Sequence, residues 1–270
     1  MPELPEVETT RRGIEPHILN RPIARVLVRQ ASLRWPVSPE LSQMLVGQTF
    51  TAVDRRAKYL LFETGSGRMM VHLGMSGSLR LATIDHPLKK HDHIDIVFDD
   101  QMILRYHDPR RFGSVFWIPE DEDHKLLADL GPEPLNDEFD GDYLFKISRG
   151  RKVAVKLLIM NSHVVVGVGN IYANEALFHA GIRPDRPSTG ISRQRYQRLV
   201  VEIKRVLASA IESGGTTLRD FVREDGSPGY FKQSLAVYGK GQDPCTVCSK
   251  TLSESRLGNR ATVFCSRCQT

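Results

Sequence analysis

Cys245-Thr246-Val247-Cys248 and, sixteen residues further on, Cys265-Ser266-Arg267-Cys268 contain all four cysteines of the chain. Two C-x-x-C knuckles at this separation bring four thiolates into a tetrahedron around one soft cation, and the segment between them closes as a hairpin. A pair of disulfides or a redox C-x-x-C would use the same residues. An expected cytosolic setting disfavours the first, and the absence of a βαβ pattern disfavours the second. The spacing predicts one structural Zn2+ held by Cys245, Cys248, Cys265 and Cys268. With four protein ligands it has no open position, so it organises a ribbon and does no chemistry. Arg256 and Arg260 flank the turn signal Gly258-Asn259 at the hairpin tip. A cation there suits a phosphate, and a merely solvated arginine is the plain alternative.

Moving towards the N-terminus, helical periodicity covers Val153 to Met160, Ile171 to Ala180 and Arg193 to Ser213, the last with Leu199, Ile203, Val206, Leu207 and Ile211 on one side. Ahead of it, a charged connection through Gly131-Pro132-Glu133-Pro134 marks a domain boundary near residue 132. After a short helix from Pro5 to His17, the remaining stretch reads as strands: Ile23–Arg29, Gln48–Asp54, Tyr59–Glu63, Met69–Leu73, Ser78–Leu81, Ile94–Phe98, Met102–Tyr106 and Gly113–Ile118. Turns fall at Gly65-Ser66-Gly67 and Asp99-Asp100. The expected organisation is α+β and multi-domain: a helix plus β-sandwich over residues 1–131, a helical domain over 132–235 and the zinc ribbon over 236–270.

Val164 to Tyr172 contains Gly167-Val168-Gly169-Asn170, which imitates a dinucleotide fingerprint but lacks its third glycine and its βαβ surroundings. The residues predict instead a tight backbone turn with Asn170 capping the following helix, whose free N–H groups can face an anion. Lys and Arg outnumber Asp and Glu by 37 to 32, a net charge of +5 that suits a polyanionic partner, with clusters at Arg55-Arg56-Ala57-Lys58, Arg110-Arg111 and Lys146 through Lys156. Each cluster also fits a solvated face. No stretch is apolar enough to span a membrane, and the opening Met1-Pro2-Glu3-Leu4-Pro5-Glu6 lacks the features of a secretory signal, so a cytoplasmic protein is expected.

Pro2 is small enough to permit removal of Met1, which would leave a free secondary amine. An α-amino group titrates near pH ~7.7–8.0, so a useful fraction is unprotonated at neutral pH. Such an amine can attack C1′ of a damaged nucleoside and form a cationic iminium that displaces the base. A retained Met1 would bury that nitrogen in an amide. Glu3 and Glu6 stand beside it, where their simplest role is favourable acidic charge in a first helical turn.

Met1-Pro2-Glu3-Leu4-Pro5-Glu6-Val7-Glu8-Thr9, His72 to Gly77, Asp108-Pro109-Arg110-Arg111-Phe112-Gly113, Gly167 to Tyr172 and the four-cysteine ribbon occur together and in one order. In that conjunction the chain resembles the bacterial formamidopyrimidine-DNA glycosylases along its whole length. The resemblance implies a β-sandwich, a helix–two-turn–helix domain and a zinc ribbon. It implies removal of oxidised purines from double-stranded DNA with strand cleavage by β,δ-elimination, by a monomer associated with the nucleoid through DNA. It makes Pro2 the nucleophile, Glu3 the acid at the opening deoxyribose, Lys58 the helper of β-elimination and Arg260 the phosphate-binding residue of the last elimination.

A base reaches such a site only by leaving the stack, and the vacated space must be filled. The resemblance assigns Met75, Arg110 and Phe112 to that filling, although Met75 and Phe112 read alone as core residues. His91, Arg110, Arg151 and Asn170 match DNA-contacting positions, and Thr216 through Phe231 resembles the family's loop over the extruded base. Asn161 departs from the pattern, standing where an acid is common. Two other readings remain at this stage. An endonuclease VIII type would favour oxidised pyrimidines, against which the Asp108–Gly113 motif speaks, and a non-catalytic zinc protein would only bind distorted DNA.

Overall fold

The computed structural model describes residues 2–214 and 235–270. The stretch from Thr216 through Phe231 lies outside the described residues. The chain divides into two compact units, one built on Met1–Ala128 and the other on Asp129–Glu212 with Gln233–Thr270.

In chain order the first unit contains α1 (Leu4–Ile18), β1 (Ile23–Val28), α2 (Leu41–Leu45), β2 (Ala52–Arg56), β3 (Tyr59–Glu63), β4 (Gly67–His72), β5 (Ser78–Thr83), β6 (Asp92–Phe98), β7 (Met102–His107), β8 (Ser114–Pro119) and α3 (Lys125–Ala128). The strands form two antiparallel four-stranded sheets, β1-β6-β7-β5 and β2-β3-β4-β8. Ile94, Ile96, Phe98 and Leu104 of one sheet and Val53, Leu60, Phe62, Val71 and Trp117 of the other share a single core, which makes the pair a β-sandwich. Phe50 bridges the layers, its ring centroid 5.2 Å from Phe62 and 6.2 Å from Phe98. Burying each of these side chains stabilises by about 1.5–3 kcal/mol, which outweighs the weak preferences of single residues.

β6 is buried along its whole length rather than on alternate residues. Its core face carries Ile94 and Ile96, and its other face carries acids that are paired. Asp95 accepts from Arg105 Nε at 2.8 Å and Nη2 at 2.9 Å and from Arg29 Nη2 at 2.6 Å. Asp92 accepts from Arg80 Nη2 at 2.8 Å, and His107 Nδ1 lies 2.8 Å from it. Buried charges of this kind persist only when paired and hydrogen-bonded.

The second unit contains α4 (Gly141–Ser148), α5 (Val155–Ile159), α6 (Asn170–Ala180), α7 (Arg193–Glu212), β9 (Ser253–Leu257) and β10 (Arg260–Phe264). Asp140 starts α4 by accepting the Tyr143 N–H at 2.7 Å. The apolar stripe of α7, with Tyr196, Leu199, Ile203, Val206, Leu207 and Ala210, is buried against α4 and α6. β9 and β10 pair from Ser253–Phe264 to Leu257–Arg260 around the Gly258-Asn259 turn, with both turn residues at positive φ. Glu175 of α6 is buried, and its carboxylate accepts the backbone N–H groups of Ala236, Val237 and Tyr238 at 2.7, 2.9 and 2.8 Å. Three charge-assisted bonds therefore fix the chain ahead of the cysteine ribbon. Among the described residues no helix is long and apolar enough to cross a membrane.

Candidate functional site

The start of α1 is unusual in burying its acids. Glu3, the N-cap in extended backbone conformation, and Glu6 are 3% and 1% exposed. They form a reciprocal capping box, in which the Glu6 carboxylate accepts the Glu3 N–H at 2.8 Å and the Glu3 side chain accepts the Glu6 N–H. This holds the Pro2–Glu3 peptide rigidly at a helix N-terminus, with Pro2 itself buried. One turn on, Glu8 receives Arg11 Nη2 at 3.0 Å, Arg12 Nε at 2.8 Å and Arg55 Nε at 3.2 Å. Burial pushes the Glu8 carboxyl up, but the bonds from Arg11 and Arg12 outweigh it and hold the group below the usual glutamate range. Arg55 also donates to the Ala57 carbonyl at 2.8 Å, so it ties β2 to α1 instead of standing as a solvated cation.

Lys58 occupies the two-residue turn between β2 and β3, where Ala57 takes φ +56°. It is half-buried. Its charge acts on His72 at the end of β4. Burial, and then the charges of Lys58 and Arg34, push the imidazole down to about 4. A neutral ring can accept at one nitrogen, and His72 Nδ1 accepts the Gly74 N–H at 3.1 Å while the ring packs 4.8 Å from Tyr59. His72 thus anchors the start of the loop that carries Met75.

Met75 is half-buried and Phe112 is 42% exposed, so neither is a core residue, contrary to what their residue types alone suggest. The Arg110 guanidinium lies 4.8 Å from the Phe112 ring centroid. Backbone contact joins the two loops: a Cβ on Gly74, which has φ +68°, would lie 2.4 Å from the Gly113 nitrogen. His91 stands just before β6 and its carbonyl accepts the Asp108 N–H at 3.1 Å, at the root of the second loop. The structure therefore brings Met75, Arg110 and Phe112 to one pair of loops, with His91 on a third loop bonded to the root of the second.

In the second unit, α6 is capped by Gly169 and not by the Asn170 side chain, which corrects the expected cap. Asn170 instead donates from Nδ2 to the Ala261 carbonyl at 3.1 Å, and its buried Oδ1 has no hydrogen-bond partner among the described residues. Lys156, also buried, donates to the same carbonyl at 2.9 Å and to Thr262 Oγ1 at 2.7 Å. These bonds seat β10 on α5 and α6 beside exposed Arg260, so Asn170 and Arg260 belong to one surface. Arg151 is exposed just after α4. Asn161 is exposed too, and its Oδ1 accepts the His163 N–H at 3.0 Å as part of a local turn.

Lys156 corrects the reading of the Lys146–Lys156 stretch as a solvated or polyanion-facing cluster, since it is fully buried, and the signal is present in a lysine on the apolar face of a short helix between Val155 and Leu158. The sulfur atoms of Cys245, Cys248, Cys265 and Cys268 lie within 4.8 Å of one another, with Cys245–Cys268 at 3.9 Å and Cys248–Cys265 at 3.5 Å. Tetrahedral ligands at ~2.3 Å from a metal sit ~3.8 Å apart, so this cluster has the dimensions of a metal site. The Val247 N–H donates to Cys245 Sγ and the Cys268 N–H to Cys265 Sγ, at 3.5 and 3.4 Å. The four cysteines form a preshaped knuckle pair.

Residues 1–115 match the family model described as the formamidopyrimidine-DNA glycosylase N-terminal domain, and residues 130–222 match its H2TH domain. The chain is 61% identical to the formamidopyrimidine-DNA glycosylase of Stutzerimonas stutzeri strain A1501 and 58% identical to that of Pseudomonas entomophila strain L48, each over 100% of both chains. Among solved structures it resembles the Lactococcus lactis FPG mutant G226P in complex with a Fapy-dG containing DNA, with TM-score 0.92, 33% identity and 100% of both chains covered. It also resembles the MutM (FPG) protein from Thermus thermophilus, with TM-score 0.89 and 37% identity over 99% of this chain and 98% of that one. A third match is the Lactococcus lactis Fpg bound to an abasic site containing DNA, with TM-score 0.91 and 33% identity over 99% of each chain. On these matches, end to end in sequence and in fold, the chain belongs to the formamidopyrimidine-DNA glycosylase family.

Proposed function

We propose that the protein is a bifunctional DNA glycosylase and abasic-site lyase of base excision repair, removing oxidised purines such as 8-oxoguanine and formamidopyrimidines from double-stranded DNA. The observation that carries the reading is the buried capping box, in which Glu6 grips the Glu3 N–H and so holds the Pro2–Glu3 peptide at the start of the helix, with two buried acids within four residues of the Pro2 nitrogen along the chain. With Met1 removed, that nitrogen attacks C1′ of the damaged nucleoside. The glycosidic bond breaks and the base leaves with a proton. Glu3 protonates O4′ as the sugar opens, giving an iminium between Pro2 and C1′. Loss of a C2′ proton, assisted by Lys58, expels the 3′ phosphate, and a second elimination at which Arg260 holds the phosphate expels the 5′ phosphate.

Met75, Arg110 and Phe112 fill the space left by the extruded nucleotide, and His91, Arg151 and Asn170 hold phosphates. An apolar wedge with an adjacent guanidinium suits a gap that exposes both base faces and hydrogen-bonding edges. The divisions 1–131, 132–235 and 236–270 then correspond to chemistry, DNA binding and the ribbon. Four thiolates at the spacing described suit one structural zinc, which would order the hairpin bearing Arg260 and take no part in the reaction.

Release of free base from an oligonucleotide duplex with one 8-oxoguanine opposite cytosine tests the reading. Efficient release with strand cleavage is expected. Poor release alongside efficient excision of an oxidised pyrimidine would replace it with an endonuclease VIII-type activity, and binding without any release would reduce the protein to a damage-recognition module.

A further inference from the structure

We infer that Asp108 is the positioning residue that preassembles the wedge, locking the loop of Met75 to the loop of Arg110 and Phe112 before DNA arrives. This rests on the proposed role of those three side chains in filling the stack.

Asp108 follows β7 and is 0% exposed. Its Oδ1 accepts the Ser76 hydroxyl at 2.9 Å and the Arg110 N–H at 3.2 Å. Its Oδ2 accepts the Tyr106 hydroxyl at 3.0 Å and the Gly113 N–H at 2.9 Å. The Arg110 N–H is shared with Ser76 Oγ at 3.3 Å, and His93 Nε2 lies 2.8 Å from the Asp108 carbonyl. One carboxylate therefore grips the residue after Met75, the backbone of Arg110 and the residue after Phe112. All four donors are neutral, and no arginine or lysine forms an ion pair with Asp108 among the described residues. Burying an acid without a cation is costly unless every lone pair is used, and here all four are used.

Arg111, between the gripped residues, adopts φ +55°, an uncommon conformation for arginine, and its N–H closes a turn on the Asp108 carbonyl at 3.2 Å. The loop is thus held in a shape that arginine would not choose alone. Tyr106 remains a donor because burial, and then the neighbouring Asp108, push its hydroxyl far above the usual tyrosine range.

The geometry makes Asp108→Asn a sharp perturbation. Each carboxylate oxygen accepts one hydroxyl, which can rotate, and one backbone N–H, which cannot. Whichever way the amide is turned, its NH2 faces the N–H of either Arg110 or Gly113. A preassembled wedge matters most when a paired base must be expelled and its place filled. It matters less for an abasic site, where no base leaves.

The test compares two reactions of the full chain, excision of 8-oxoguanine opposite cytosine and cleavage of a preformed abasic site in the same duplex. For Asp108→Asn the ratio of excision rate to cleavage rate is expected to fall at least tenfold, and for Ser76→Ala, which removes the Ser76 bonds to Asp108 and to the Arg110 N–H but leaves the other three donors on the carboxylate, at least threefold. Equal losses in both reactions would mark Asp108 as a purely structural residue and overturn the inference. If Asp108→Asn does not fold, Ser76→Ala decides, and an unchanged ratio overturns it. Inactivity of the wild-type protein in both reactions would instead overturn the glycosylase and lyase assignment itself.

Discussion

Acid should loosen the Met75 loop through one residue, His72. The imidazole is neutral in the fold because burial and the nearby Lys58 and Arg34 charges hold it at about 4, against 6.5 for an ordinary histidine. Below pH 6.5 the unfolded chain therefore binds a proton that the folded chain refuses. The stability associated with His72 is fully present above pH 6.5 and is lost as the pH falls through the folded value of about 4. At pH ~5 this shifts the folding equilibrium about 30-fold towards the unfolded chain, or about 2 kcal/mol. For a protein of this size that corresponds to a melting temperature lower by roughly 6 °C. His72→Asn provides the comparison, because its amide oxygen can accept the Gly74 N–H now bound at 3.1 Å and does not titrate. Melting of both proteins at pH ~8 and pH ~5 should show the wild type losing about 2 kcal/mol more than the variant. Parallel losses would refute the reasoning, and so would a variant that is the more acid-sensitive of the two.

Freshly purified protein should contain one equivalent of zinc, and chelation should abolish tight DNA binding because a ribbon this short cannot bury enough to fold without metal; metal-free protein with full affinity in a titration would contradict this. Affinity for lesion-bearing duplex should fall steeply with salt, and Arg151→Ala should flatten the log–log slope by about one if the exposed guanidinium neutralises one phosphate. An unchanged slope would remove Arg151 from the contact surface.

The ends of the chain and its turns are the parts most legible in the sequence. Tyr59–Glu63 forms the strand its composition predicts, and the Gly65-Ser66-Gly67 and Asp99-Asp100 signals fall where successive strands meet. Turn residues and paired cysteines act through local geometry, which nearby residues largely determine. What stays hidden depends on partners distant in sequence. Asp95 and Arg105 look like the solvated positions of alternating strands, yet they are buried and joined to each other, with Arg29 as a further partner of Asp95. Glu175 reads as an ordinary helix acid, but it binds three backbone N–H groups 61 to 63 residues away.

Lys156 is legible in the sequence as part of a basic cluster and Asp108 as part of a motif, but the buried bonding of each escapes sequence reasoning for the same reason, since a single charge at a buried position has meaning only once its acceptors or donors are placed. Helix α4 escapes for a different one. Its eight residues are too few for periodicity to stand out, and its start is marked only by Asp140, whose side chain accepts the Tyr143 N–H. An aspartate ahead of a short polar and aromatic run is a helix-start signal in its own right.

The covalent step gives the most direct test of the proposed chemistry. Incubation with 8-oxoguanine duplex in the presence of borohydride should reduce the iminium to a stable amine and yield a protein–DNA adduct. Peptide mapping should place the sugar remnant on Pro2, because an α-amine is appreciably unprotonated near neutral pH while a lysine near ~10.4 is not. A tag or a retained Met1 ahead of Pro2 should eliminate both trapping and excision, and Lys58→Ala should slow the reaction without moving the attachment site. A sugar remnant mapped to Lys58, or full activity in protein whose N-terminus is blocked, would contradict the mechanism.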